Sequence, residues 1–344
     1  MRWIILLIVV AGFQNAFSQT EVDSLAKVDS LRAFYIKEYP NHFFIWPVLK
    51  HRSLTFDVSK KNDDRQTVSF KPNNTASLGF GFYLFEVVFE LTFAIPVNEQ
   101  QKQIFGESKA RDLQLNILTK SWGVDIYHQK YSGFYRDDLQ EPGIINGQSR
   151  ADIDCRNFGI SGFYAFNNQK FSLRSSYNYA ERQLKSRGSF ILYGTINAFK
   201  TDADSALLTQ AAQVKLGNSS RVEDLKCTTL SVAPGYSYNF VLKKFFANAT
   251  LTVGPAHHWV YYKLENDEKH YDVSFNATTA LRLAVGYSND RFFGGLNYVL
   301  QSRTVTFENV RFETSTGTFK LLVGYRFKEK GILKKKAWEF LPVI

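Results

Sequence analysis

The residues in this chain best able to do chemistry are six histidines, two cysteines and a scatter of serines. The histidines are His42, His51, His128, His257, His258 and His270. Only His257 and His258 are neighbours, and adjacent residues on a strand point to opposite faces, so this pair cannot chelate one metal ion together. The serines fall in no G-x-S-x-G elbow. HExxH, CxxC, phosphate-loop and dinucleotide-binding glycine patterns do not occur in the sequence. Gly79-Phe80-Gly81 reads instead as a pair of glycines on one strand face, where a sheet bends. Cys155 and Cys227 either pair in an oxidising compartment or stand as two unpaired small residues; one pair in 344 residues is no disulfide scaffold. These residue types nominate no catalytic, metal or cofactor-binding site.

The elements that would carry them are strands. Past residue 50 apolar residues recur with period two, the signature of one apolar and one polar face. Val273, Phe275, Ala277, Thr279, Leu281, Leu283, Val285 and Tyr287 share a face, opposite Ser274, Asn276, Thr278, Arg282 and Gly286. Phe319, Leu321, Val323, Tyr325 and Phe327 alternate with Lys320, Gly324 and Arg326. Phe171, Leu173, Tyr177 and Tyr179 alternate with Ser172, Arg174, Ser176 and Asn178, and Leu113, Leu115 and Ile117 with Asp112, Gln114 and Asn116. Several of these runs reach 14 residues or more, well beyond the ~5–6 of a soluble sheet. Aromatic residues make up 16% of the chain and gather near the ends of the runs, as at Phe163-Tyr164-Phe166, Tyr236-Tyr238-Phe240 and Trp259-Tyr261-Tyr262. Together with turns near 85, 120, 168, 242 and 289 that alternate with longer polar loops, this predicts an all-β chain forming a transmembrane antiparallel β-barrel.

The N-terminus sets the compartment. Met1-Arg2, the apolar run Trp3 to Gly12 and the small-residue end of Ala16-Phe17-Ser18 make residues 1–18 a signal peptide, cut before Gln19. Residues 19–49 then form a periplasmic segment, 50–327 the barrel in the cell outer membrane, and 328–344 a basic and aromatic extension. Candidate strands at 51–60, 75–84, 86–95, 110–119, 122–133, 153–166, 170–182, 187–199, 226–240, 244–261, 271–287, 291–304 and 312–327 number thirteen. A bacterial barrel with both ends in the periplasm needs an even count. The reading is twelve strands, with 187–199 in an extracellular excursion; fourteen is the alternative, with a further strand near 206–216.

Placing the apolar face against lipid turns specific charges inward. Asp57, Glu86, Glu90, Asp112 and Asp125 come from early strands, and Arg174, Arg182, Arg282, Arg303, Lys320 and Arg326 from later ones. Such walls either meet as cross-lumen ion pairs, since unpaired charges are costly in a low-dielectric interior, or face each other across water. A largely filled or narrow lumen is the favoured expectation. The net charge of +10 points to the membrane lipid and lipopolysaccharide of the outer membrane as counterparts and not to nucleic acid; envelope protein partners are unspecified. Asp23-Ser24-Leu25, Asp29-Ser30-Leu31 and Asp204-Ser205-Ala206 fit the short acceptor that Bacteroidota use for O-glycosylation, while the first two fit helix capping as well.

The tracts Tyr39-Pro40-Asn41, Arg52-Ser53-Leu54-Thr55-Phe56-Asp57, Phe70-Lys71-Pro72-Asn73-Asn74, Leu78-Gly79-Phe80-Gly81, Trp122-Gly123-Val124-Asp125, Gly188-Ser189-Phe190 and Pro234-Gly235-Tyr236 resemble a Bacteroidota family known as domain of unknown function 4421. The resemblance covers roughly 40–327. It implies an outer-membrane location and no known activity, substrate or catalytic residue. The functional expectation is a non-enzymatic outer-membrane barrel, a narrow channel, transport or envelope assembly component. The alternatives are a lipid-modifying enzyme with an active site at the rim and a secreted soluble glycan-binding β-protein.

Overall fold

The computed structural model describes residues 30–329 apart from 41, 75, 85–86, 138–147 and 209–220. The proposed signal peptide, Ser24, Glu86 and the basic extension beyond 329 lie outside the described residues.

A short helical stretch at residues 30–35 leads into β1 (Ile36–Glu38). The barrel strands follow: β2 (His42–Lys60), β3 (Asp63–Lys71), β4 (Ser77–Leu84) and β5 (Val87–Ala94), then helix α1 (Glu99–Phe105) and β6 (Lys109–Leu118). Next come β7 (Trp122–Asp137) and β8 (Gln148–Ala165), the one-turn helix α2 (Arg174–Tyr177) and β9 (Glu181–Gln183). The long wall completes with β10 (Arg187–Asp202), β11 (Val222–Leu242), β12 (Phe245–Leu264), β13 (Lys269–Ser288), β14 (Phe292–Phe307) and β15 (Val310–Lys328).

Ten strands close the ring, in the order β2-β3-β7-β8-β10-β11-β12-β13-β14-β15, with β15 pairing back onto β2 from Val310↔Lys60 to Lys328↔His42. Every neighbouring pair is antiparallel. The expected twelve therefore gives way to a ten-strand ring with extra strands. The segment 187–199, expected in an excursion, is a wall strand, and 170–182, expected in the wall, is not one. Residues 166–186 fold into the barrel instead, because their small polar side chains bond to the inner wall: Ser176 Oγ donates to Asn239 Oδ1 at 3.0 Å and Tyr177 OH to Asn248 Oδ1 at 2.7 Å. The first barrel strand also starts at His42, ahead of the expected residue 50. Phe43, Ile45, Pro47 and Leu49 face outward there while Phe44, Trp46 and Val48 are buried inside, so both faces are apolar and the alternation is masked.

The outer surface explains the strand lengths. Strands such as β11, at 21 residues, and β13, at 20, exceed the ~9–11 that cross a bilayer. Their surplus projects past one end. Outward Leu230, Val232, Leu251, Val253, Leu283, Val285, Leu321 and Val323 are all exposed and form the lipid-facing band. Tyr236, Phe240, Phe245, Phe292 and Phe327 rim it on the side of the termini, and Trp259 and Tyr271 on the other, as aromatic girdles do. The turns at 119–121, 243–244 and 289–291 sit on the side of the termini, the periplasmic side of an outer-membrane barrel. This band excludes the soluble secreted alternative.

Beyond the band the polarity of the pattern inverts. Phe56, Phe70, Phe134, Phe199, Phe307 and Phe312 face inward and are buried, with Leu207 and Leu208 of the following loop covering them. Phe56 stacks on Phe70 at 4.6 Å and on Phe312 at 5.3 Å. The extracellular half of the barrel is thus filled by an ordinary hydrophobic core. The inversion also corrects Asp57. Since Phe56 and Val58 point in, Asp57 points out, paired in register with Ser69 and Glu313 above the band.

β3 and β4 run in the same direction along β2, one above the other: Phe56↔Phe70 belongs to the upper pairing and Trp46↔Gly81 to the lower. Gly81 leaves the space that the Trp46 indole fills; a Cβ there would come within 2.0 Å of the ring. On the far side, β7 pairs with β6 from Lys109↔Ser132 to Leu118↔Gly123 and with β3 only at Ser69–Lys71. The switch of partner coincides with a bulge at Gly133, whose φ of 79° and approach to the Glu107 carbonyl (2.4 Å from a would-be Cβ) admit only glycine. In the periplasmic half β4, β5 and β6 are therefore inserted between β2 and β7.

Leu251→Arg, in the middle of the outer band, is expected to lower the unfolding free energy by about 2–4 kcal/mol, whereas Ser315→Lys, outward but beyond the band, changes it by less than about 0.5 kcal/mol. Urea unfolding in lipid vesicles measures both.

Candidate functional site

Between the apolar core above and the folded-in segment below lies a polar chamber. The non-atom space there, together with the solvent at its open mouth, comes to about 1030 Å³. Its walls carry three charge clusters. Asp125 of β7 accepts from Arg282 of β13 on the opposite wall, from Asn116 Nδ2 at 2.6 Å and from Tyr193 OH at 3.3 Å. The Arg282 guanidinium also lies 5.1 Å from the centre of the Phe163 ring, a cation–π contact. Glu90 of β5 accepts from Lys320 of β15 at 3.0 Å, from Lys50 of β2 and from the Trp46 indole at 3.3 Å. Asp112 of β6 accepts from Arg52 Nη1 at 3.2 Å, Gln129 Nε2 at 2.6 Å and Tyr131 OH at 3.2 Å. Arg303 donates to Tyr127 OH at 2.6 Å and to Gln301 Oε1 at 3.0 Å.

Glu90, Asp112, Asp125, Arg282, Arg303 and Lys320 thus line the lumen as the alternation indicates. Asp125–Arg282 joins early and late strands across it, and Glu90–Lys320 joins them along the wall where β15 meets β2. The acidic-front, basic-back division is too simple, however, because Lys50 and Arg52 bring cations to the early side. They share the parity of Leu54 and Phe56, the signal by which the sequence could have shown them.

Arg174 and Arg182 are inside or beside the barrel without belonging to its wall. Arg174, on α2, donates to Glu181 Oε1 at 3.2 Å and to Tyr83 OH at 2.7 Å. Arg182, on β9, faces Asp290 at the periplasmic mouth, 3.5 Å away. Arg326 is a wall residue, but it fastens the folded-in segment instead of facing the chamber. Its guanidinium donates to Tyr179 O at 2.8 Å, Asn289 O at 2.6 Å and Ser288 Oγ at 3.1 Å, and sits over the Tyr39, Phe44 and Phe293 rings.

The N-terminal segment closes this end. β1 pairs with β9 antiparallel, Glu38 opposite Glu181. Buried Arg32 bridges the two carboxylates, donating to Glu38 at 2.9 Å and Glu181 at 2.8 Å. Burial works against ionisation of Glu38, but hydrogen bonds from Lys120 and Arg32 outweigh it and hold its carboxyl below the ordinary value of 4.5. At the 289–291 turn, a hydrogen bond from Lys37 at 2.8 Å keeps the Asp290 carboxyl below its ordinary 3.8.

The adjacent histidines and the two cysteines lie in the long wall strands. His257 faces outward against Trp259, with ring centres 4.4 Å apart. His258 is buried, Nδ1 2.8 Å from Thr229 Oγ1 and 3.7 Å from Cys227 Sγ. Cys155 and Cys227 are both free and buried, which settles the open question of their pairing. Among the described residues no group of three or more His, Cys, Asp and Glu side chains converges as metal ligands would. Ser205 Oγ accepts from Arg150 at 3.2 Å.

A closed antiparallel ring, an apolar outer band and aromatic girdles define a β-barrel of the outer membrane. The chain belongs to the family described as Domain of unknown function (DUF4421), whose profile matches residues 27–327. No curated protein matches it. Among solved structures it is similar to Ail, the attachment invasion locus protein of Yersinia pestis, at 14% identity over 60% of this chain and 97% of that one, TM-score 0.23. It is also similar to OmpT of Vibrio cholerae, at 8% identity over 83% and 97%, TM-score 0.30. A third is the P. putida toluene transporter TodX, at 6% identity over 84% and 91%, TM-score 0.24.

Two measurements test this arrangement. Asp125→Asn, which strands Arg282 inside the lumen, is expected to cost about 3–5 kcal/mol in urea unfolding, and the pair Asp125→Asn with Arg282→Met to recover most of that loss. The depressed carboxyls of Glu38 and Asp290 contribute stability that is complete above their unfolded values of 4.5 and 3.8 and disappears as pH falls through the lower folded values. Trimming of the N-terminal segment by an acid-active protease should therefore remain slow at pH 5 and accelerate once the pH is taken below 3.8.

Proposed function

We propose that this protein is a non-enzymatic outer-membrane barrel that does not conduct, serving transport or envelope assembly through its internal chamber and not through an open pore. One observation carries the reading: the lumen is filled at both ends. Above the chamber the inward Phe56, Phe134, Phe199 and Phe312 belong to one buried apolar cluster. Below it Phe171, Leu173, Tyr179 and Ala180 of the folded-in segment are buried against the wall. A solute would have to displace one of these cores, each held by tens of dispersion contacts.

The charges fit the same reading. An open aqueous pore keeps its charged walls apart and solvated, whereas here Asp125 and Arg282 join directly across the lumen with side chains at most 10% exposed. The non-enzymatic part rests on the histidines. His257 and His128 point to the lipid side, His258 sits against Thr229 and Cys227, and His270, 3.8 Å from Glu268, is stacked on the Tyr262 ring.

The test is conductance in planar bilayers. The wild-type protein should give no steady conductance, and a variant with Arg282→Gln and Arg326→Gln should stay silent as well, because the apolar core above the chamber is untouched. Reproducible single-channel steps from the wild type would overturn the proposal.

A further inference from the structure

The chamber is closed above and below, yet its wall is incomplete on one side. Among the described residues no ladder pairs β5 with β6; the ladder partner of β5 is β4 and that of β6 is β7, while Arg52 of β2 donates to the Asp112 carbonyl of β6 at 2.7 Å. The connection between them does not form a hairpin. It passes through α1, which is capped by Asn98 accepting from Gln101 N at 2.8 Å and held on the outside of the barrel by Phe105 against Tyr135, 4.7 Å between ring centres. Asn73 fixes this detour, donating to Gly106 O at 2.7 Å and Gln101 O at 3.2 Å.

Two strand edges therefore face each other within the lipid-facing band. Outward Phe89, Leu91 and Phe93 on one side and Leu113, Leu115 and Ile117 on the other are all exposed. Hydrocarbon does not tolerate open sheet edges, because each unsatisfied backbone group costs several kcal/mol there. The inner faces of the same two strands, Val88 and Glu90 of β5 and Gln114, Asn116 and Leu118 of β6, line the chamber. The seam is thus what separates chamber from bilayer.

The chamber's chemistry indicates what would enter. Among the described residues Lys50 and Lys320 share one carboxylate, Glu90, so this cluster carries one positive charge more than negative in a place where its side chains are at most 17% exposed. Arg52 and Arg282 add cations that Asp112 and Asp125 balance one for one. Facing the chamber, the Asn297 amide is 97% buried (3% exposed), and neither its nitrogen nor its oxygen has a partner. An anion with hydroxyl groups would relieve the excess charge and use both ends of that amide. We propose that the β5–β6 seam is a lateral portal through which an anionic, hydroxyl-bearing phospholipid head group enters the chamber while its acyl chains stay in the bilayer. This deepens the reading of a lumen closed at both ends and rests on it.

The probe is phosphatidylglycerol, compared with phosphatidylcholine, in nanodiscs of the full-length barrel; retained lipid is counted by native mass spectrometry. The wild type should retain phosphatidylglycerol at least tenfold over phosphatidylcholine. Lys320→Gln leaves a balanced Lys50–Glu90 pair and hence a folded barrel, and should reduce that retention about tenfold; Asn297→Leu should also lower it. A disulfide from Leu91→Cys with Leu113→Cys, with Cys155 and Cys227 changed to alanine, should slow phosphatidylglycerol uptake at least tenfold until reductant is added. Equal retention of the two lipids, uptake unaffected by the closed disulfide, or competition by glycerol 3-phosphate as strong as by phosphatidylglycerol would overturn the proposal. If the two cysteines do not join, the Lys320→Gln comparison decides. Conductance is a separate readout, so a conducting barrel refutes the closed lumen without bearing on lipid retention.

Discussion

A bilayer core offers no hydrogen-bond partners, so each backbone N–H and C=O within it must be paired by the protein itself. The rest of this structure follows from that demand. It imposes the ring, which closes where β15 meets β2 along nearly their whole length. It imposes the alternation, since a strand with lipid on one side and a lumen on the other must change polarity at every residue. It also makes the β5–β6 seam the place where the structure departs from its own rule.

The lumen answers a second, related demand. Polar side chains turned away from lipid enter a narrow space in which charges are costly unless paired. The chain meets this in three ways at three depths. Outside the band on the extracellular side the inner face is simply apolar. In the middle, Asp125–Arg282, Glu90–Lys320 and Asp112–Arg52 pair across or along the wall. At the periplasmic mouth a stretch of the chain itself folds in, and Arg326 and Arg32 bind its carbonyls and carboxylates. The excess ammonium at Lys50 and Lys320 and the partnerless Asn297 amide are exceptions that line the chamber.

Much of the wall was legible in the sequence because a lipid-facing strand has no freedom in its pattern. The outward faces of β6, β13 and β15 read directly as Leu113-Leu115-Ile117, Val273 to Tyr287 and Phe319 to Phe327. Two misreadings share one cause: the pattern reports polarity and not which side is out. In 170–182 the same alternation belongs to a segment buried among serines and asparagines inside the barrel. At Asp57 the polarity had already inverted, so a carboxylate that looked inward lies outside. β3 went unseen because its outward Thr67, Ser69 and Lys71 lie above the lipid, where nothing forces them to be apolar. Ten closed strands instead of twelve is a consequence of long-range pairing, the choice of β7 between β6 and β3, which no local pattern encodes.

The most direct test is chemical access to the chamber. In a barrel carrying Asn297→Cys, with Cys155 and Cys227 changed to alanine, the account predicts that a charged, membrane-impermeant thiol reagent leaves the cysteine unmodified from either face. A lipid-soluble maleimide, arriving through the bilayer, should label it. Rapid labelling by the impermeant reagent would contradict the account, because it would mean that water and solutes reach the chamber through the barrel's ends.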